Sequence, residues 1–227
     1  MCGRFSLARP MDEVAALFDS QPLSDLTPFE PSWNVAPQTH VPIITECGVH
    51  DEPAPRHMRM MKWGLRPSWS SPSQREPINA RVETVASKPM FRTSFQRRRG
   101  VLPADGWYEW MTTPNGKVPW YHYPMDGSMC LFPVIWDRWQ NDGAYLESCV
   151  MLTQEANEDC REVHHRMPVL LTENNLDSWL NEGELPELES SFRIDRHPVS
   201  RDVNRPTTNH RGLIEPLRTL FDQEYGA

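Results

Sequence analysis

VLPADGWYEWMTTPNGKVPWYHYPMDGSMCLFPVIW, residues 101–136, is the stretch on which the fold turns. Val101–Ala104, Trp107–Met111, Val118–Tyr123 and Met129–Trp136 are short runs rich in β-branched and aromatic residues, which suit a pleated, half-buried surface. Asn115-Gly116 and Asp126-Gly127 separate them and supply the positive φ that tight hairpins need. The stretch predicts consecutive strands, and Ser148–Thr153 adds another downstream.

Upstream, Pro10–Phe18 (PMDEVAALF) has apolar residues at helical spacing, with proline at a tolerated first-turn position. Thr39–Thr45 is a β-branched run, and Met58–Leu65 an apolar stretch ending near Pro67. Ser87–Arg99 (SKPMFRTSFQRRR) predicts a helix or helical turn closed by Gly100, and its Arg97-Arg98-Arg99 run reads as a solvated helix face. Downstream, Glu173–Leu180 predicts a short helix with Thr172 as N-cap. The pattern is α+β: one compact domain over residues 1–217 with an antiparallel or mixed sheet system, peripheral short helices, and a frayed tail over 218–227. There is no βαβ alternation and no glycine-rich phosphate loop, which argues against a nucleotide-cofactor fold.

The chain has 227 residues, 38% hydrophobic and 24% charged, enough for a sizeable core without staples. Its 22 prolines argue against long helices. A net charge of −8 weighs mildly against nucleic acid, although a local groove can be positive on an acidic protein. The five cysteines show no CxxC spacing, so neither a disulfide framework nor a zinc site is indicated. The start, MCGRFSLARP, lacks an apolar signal segment, and no run is long enough to span a bilayer. The expectation is a soluble, intracellular monomer in the cytoplasm or on the nucleoid, with no membrane partner, no metal and no cofactor.

Position two carries the most distinctive chemistry. Initiator methionine is generally removed before a small residue, so the mature chain would begin with Cys2 as an exposed 1,2-aminothiol. An α-amine has a pKa of about 7.7–8.0, against about 10.4 for lysine, so roughly a tenth or more is neutral at pH 7. It can form an imine with an aldehyde, and the adjacent thiol can then close a five-membered thiazolidine. An internal cysteine, whose nitrogen is an amide, cannot. A lone second-position cysteine is a weak signal; its company strengthens it.

That company is compact polar chemistry set among Trp and Gly: Cys2-Gly3-Arg4-Phe5, Ile78–Thr84, Ala104–Trp110 and Val163–Pro168. Glu109 would share a strand face with Trp107 and Met111, where desolvation raises a carboxyl pKa and suits it to acid–base work near neutrality. The plainer alternative pairs Glu109 with an arginine at a sheet edge, and the segment alone does not separate the two. His164 and His165 would point to opposite faces of an extended segment, and no carboxylate or thiol stands at metal-ligand spacing from them. Asn79 could orient an amine through its carbonyl oxygen, or serve as a turn residue after Pro77. Arg4, Arg81 and Arg166 lie close to these segments and, if they converge, suit phosphate oxygens. Trp63, Trp69 and Trp110 could stack bases, with core packing as the bland reading of each.

Taken together the segments resemble the SRAP family, the SOS-response-associated peptidase domain. The resemblance rests on Cys2–Phe5, Trp33–Pro37, Trp63-Gly64-Leu65 with Pro67-Ser68-Trp69, Asn79-Ala80-Arg81 with Glu83-Thr84, Asp105–Trp110, His164-x-Arg166-Met167-Pro168 and Pro198-Val199-Ser200. These stand in family order from Cys2 to Leu217. The resemblance implies a β-barrel-like core, a single-strand channel, and covalent capture of abasic sites in single-stranded DNA through a thiazolidine at Cys2. It also implies loss of Met1 by autoproteolysis or aminopeptidase, and associated lyase chemistry. Carried over by motif, Asn79 would orient Cys2, Glu109 would handle protons, and His164 would assist ring opening. Arg4, Arg81 and Arg166 would hold phosphates, and Asn34 and Trp69 would line the channel. The family often has His-Asp-Arg where this chain has His164-His165-Arg166. Two rivals use the same residues: an N-terminal-nucleophile amidohydrolase or peptidase with Asn79 as oxyanion donor, and a non-catalytic single-strand-binding module.

Overall fold

The computed structural model describes residues 2–22, 29–46, 55–71, 73–185 and 193–217; the expected tail at 218–227 and Cys47 lie outside them. In chain order the elements are β1 (Phe5–Leu7), α1 (Met11–Leu17), β2 (Ser20–Pro22), β3 (Ser32–Val35), β4 (His40–Glu46), β5 (Arg56–Trp63) and β6 (Asn79–Arg81). There follow α2 (Val82–Val85), α3 (Arg92–Arg97), β7 (Arg99–Ala104), β8 (Gly106–Thr113), β9 (Gly116–Pro124), β10 (Cys130–Asn141) and β11 (Ala144–Glu155). β12 (Arg166–Pro168), α4 (Glu173–Asp177) and β13 (Ile194–Pro198) complete the set. The architecture is α+β, as the sequence indicates.

A five-stranded barrel, β11-β10-β7-β4-β5, forms the centre. It closes where β11 returns to β5 in parallel register, Ser148 opposite Lys62 and Cys149 opposite Trp63. Closure removes the exposed strand edges that an open sheet would leave. β11 carries more than the barrel: β6 pairs with it in parallel at Met151–Thr153, and β12 antiparallel at Thr153–Glu155. The second sheet, β13-β9-β8-β1-β3, packs against the barrel. Phe5 meets Trp63 edge-on at 5.3 Å, and Trp107 meets Phe132 likewise at 6.0 Å. Strand β8 alternates between two cores, Trp107 joining the main one and Tyr108 a smaller cluster with Tyr121, Val199, Val203 and Leu213.

The quoted stretch forms β7 to β10, each of the last three longer than its apolar run suggests. β10 and β11 reach 12 residues each because Asp142 (φ 47) and Gly143 (φ 82) make a tight left-handed turn between Asn141 and Ala144. Two expectations are corrected. Gly100 does not close a helix: α3 ends at Arg97 and Gly100 lies in β7, where an added Cβ would stand 2.6 Å from Ile43 Cγ2. The arginine run is not a free helix face. Arg98 pairs with Asp137 at 2.7 Å, and Arg99 donates to the carbonyls of Phe95 and Gln96 at the end of α3 and of Leu180 and Asn181 in the following π turn (Ser178–Glu182). Those are orphan carbonyls of helix ends, which burial would otherwise leave unpaired. Thr172 begins α4 as expected, its N–H donating to Asn175 Oδ1 at 2.7 Å.

Candidate active site

Cys2 precedes β1 and is fully buried, contrary to the exposed position expected of it. Asn79 reaches it from the first residue of β6, its Nδ2 donating to the Cys2 carbonyl oxygen at 2.6 Å. Asn79 is itself fixed by the ladder to Met151 and by the neighbouring Ile78 carbonyl, which accepts from Met151 N–H and Trp63 Nε1. The Asn79 Oδ1 atom is buried with no partner among the described residues. The Cys2 thiol contacts the Arg4 carbonyl at 3.7 Å; burial, reinforced by the nearby Glu109 charge, pushes its pKa far up, so it rests as a thiol.

Glu109 comes from β8, opposite Trp120 on β9, and is 3% exposed. It shares the face of Trp107, which stacks on His122 at 5.0 Å. Burial raises its pKa to about 7, opposed by the positive charge at the start of the chain and by the Trp110 backbone. A buried carboxyl of that pKa can give or take a proton near neutrality, which is one of the two readings the sequence left open at this position.

His164 sits just before β12. Its Nδ1 lies 3.0 Å from both the Arg166 backbone N–H and the Arg166 carbonyl oxygen, and its ring stacks on His165 with centroids 4.4 Å apart. Burial lowers its pKa. β11 therefore ties two sources of site residues together, β6 with Asn79 and β12 with the His164–Arg166 segment. The structure thus gathers Cys2, Asn79 and Glu109 at the junction of barrel and second sheet, with His164 at the adjoining edge of β11.

The candidate DNA-contact residues divide. Trp69 is 59% exposed on a turn pinned by Ser68 N–H to Asp137 Oδ2 at 2.9 Å. Arg81 is exposed at the end of β6. Arg4 and Asn34 are buried and bonded to each other at 2.7 Å; Arg4 also donates to the Val203 carbonyl, and Asn34 to those of Arg205 and Thr208. They fasten the 201–208 segment beneath the second sheet. Arg166 is buried and donates from both terminal nitrogens to Glu83, at 2.5 and 3.0 Å, and to the Thr153 carbonyl at 2.7 Å. Two tryptophans are corrected as base-stacking candidates: Trp63 is fully buried, and Trp110 packs in the smaller cluster with its Nε1 donating to Asn204. The sequence reading counts Glu83 in the motif with Asn79 but gives it no role. Among the described residues no three His, Cys, Asp or Glu side chains group as a metal site, and no helix is long and apolar enough to cross a membrane.

Fold and site together define a barrel-centred α+β domain that buries its own second residue against an amide and an ionisable carboxyl. The chain belongs to the SOS response associated peptidase (SRAP) family, whose model matches residues 1–206. It is 32% identical to the abasic site processing protein YoqW of Bacillus subtilis, across 95% of this chain and 99% of that one. It is 30% identical to the abasic site processing protein YedK of Escherichia coli, across 96% and 100%. A crystal structure of a Bacteroides thetaiotaomicron protein superposes with a TM-score of 0.81 at 23% identity, covering 96% of this chain and 100% of that one, and so shares the fold.

Proposed function

We propose that this protein captures abasic sites in single-stranded DNA as a covalent adduct of Cys2, formed after Met1 is removed. The observation that carries this reading is the Asn79 grip on the Cys2 main chain beside the buried Glu109. Its relatives' names, abasic site processing proteins, agree with it.

An abasic deoxyribose is mostly a closed hemiacetal and must open first. Glu109 in its protonated form donates toward the ring oxygen and takes up the proton of the C1′ hydroxyl, while His164 stabilises the developing charge. The Cys2 amine, oriented by the unpartnered Asn79 Oδ1, attacks C1′. Water leaves, giving an imine. The thiol then adds to the imine carbon, its proton passing to nitrogen by way of Glu109, and the thiazolidine closes. The sum is aldehyde plus aminothiol giving thiazolidine plus one water. Without the thiol the imine is open to β-elimination, which is strand cleavage.

Single-stranded or flipped substrate is required because C1′ is shielded in a duplex. Trp69 stacks a flanking base and Arg81 meets a phosphate at the exposed rim. Arg4, Asn34 and Arg166, already bonded within the protein, support that surface by fixing the segments they hold.

The test is intact mass after mixing protein with a single-stranded oligonucleotide carrying one abasic site. The expected species has the summed mass of Met1-free protein and DNA less one water. Absence of that species, with Met1 gone and DNA intact, would turn the reading towards amide substrates and the amidohydrolase alternative.

A further inference from the structure

Glu83 stands outside the chemistry above, yet it makes the most complete side-chain ion pair near the site. Both its oxygens accept from the two terminal nitrogens of Arg166, at 2.5 and 3.0 Å. Arg166 opens β12, a three-residue strand at the edge of its sheet, and edge strands this short fray unless tied. Its guanidinium ties it twice, to Glu83 just beyond β6 and to the Thr153 carbonyl on β11. His164 Nδ1 lies 3.0 Å from both the backbone N–H and the carbonyl oxygen of this same residue, so the Arg166 main chain seats the ring through that nitrogen.

We infer that Glu83 is a positioning residue: through its fork on Arg166 it holds the first residue of β12 in place and thereby seats the His164 ring in one tautomer. The Arg166 side chain lowers the Glu83 pKa, which favours the ionised form that the fork requires. The His165 ring stacks on His164, and Lys117 adds positive charge near it.

This inference rests on the proposed capture of abasic sites only for its kinetic arm. The first measurement is a long-range ¹H–¹⁵N spectrum of the histidine rings, free of DNA, for wild type and Glu83→Gln. Wild type should show one His164 ring nitrogen protonated and the other not, and Glu83→Gln should show the two averaging. Arg166→Lys, which keeps the charge and loses the fork, should average them likewise. The second measurement is crosslinking rate to an abasic oligonucleotide beside DNA affinity at several salt concentrations. Glu83→Gln should crosslink at least tenfold more slowly with affinity and salt dependence unchanged, and Glu83→Asp should recover part of the rate. An unchanged tautomer, or a Glu83→Gln variant that binds DNA more tightly with a steeper salt dependence at unchanged rate, overturns the inference and makes Glu83 a competitor for phosphate. If wild type forms no adduct, the proposed function fails while the tautomer spectra still decide the role of Glu83.

Discussion

At the scale of single residues the carboxyl of Glu109 is the most consequential titrating group. Its pKa rises from the ordinary 4.5 to about 7 because burial disfavours the ionised form. Between those values the folded protein binds more protons than the unfolded chain. Its contribution to stability is therefore fully present below pH 4.5 and is lost as pH rises through about 7. Glu109→Gln, which cannot ionise, should gain on wild type by on the order of 2–3 kcal/mol between pH 5 and pH 8, read by denaturant titration at both. The same variant should crosslink about a hundredfold or more slowly, the usual worth of a positioned acid–base. Cys2→Ala should keep some strand cleavage and form no stable adduct, with Cys2→Ser similar because an oxazolidine is more labile. A heat-resistant adduct with Cys2→Ala would sink the thiazolidine.

Among elements, the β10–β11 hairpin shows how local chemistry sets geometry at a distance. Its left-handed turn places Gly143 at φ 82 with open space around it, so strain alone penalises a side chain there. Gly143→Ala should destabilise by about 1 kcal/mol and Gly143→Val by more, both measured by thermal or denaturant unfolding. The strands of residues 101–136, and helices α1 and α4, were legible because hydrophobic period, turn dipeptides and caps agreed there. Asp142-Gly143 carries the same turn signal as Asp126-Gly127, but Arg138, Gln140 and Asn141 break up the apolar run before it, since that end of the hairpin runs out toward solvent. The short strands β3, β6, β12 and β13 were not legible. Three to five residues hold too few periods; β6 and β12 are made strands by the long β11 and β13 by β9, while β3 pairs with the likewise short β1. Gly100 misled for a related reason: glycine after a basic run resembles a helix stop, whereas its role is close packing under Ile43.

On the scale of the whole molecule, the candidate site assembles from segments nearly 165 positions apart, and only the ordered set of motifs brought them together on the page. Burial was the part the sequence could not carry: nothing local says that Cys2 lies inside, or that Arg4, Asn34 and Arg166 spend their donors within the protein. With a net charge of −8, long-range attraction to DNA is weak, so the proposed binding depends on local contacts such as Arg81. Affinity for single-stranded DNA should fall with added salt along a shallow slope, one to three phosphates' worth, and Arg81→Ala should reduce that slope by about one. An affinity that ignores salt would remove phosphate contact from the account.

Strand β11 closes the barrel, carries β6 on one side and β12 on the other, and so holds both ends of the site. The amides of Ala80 and Met167 therefore have no private route to solvent. Their hydrogen exchange should be as slow as that of the barrel strands and should speed up only with global opening, so that site and scaffold make a single cooperative unit. For the proposed capture of a lesion this means that the adduct lies in a part of the domain that does not open alone, and chemical reversal, not local fraying, frees the DNA.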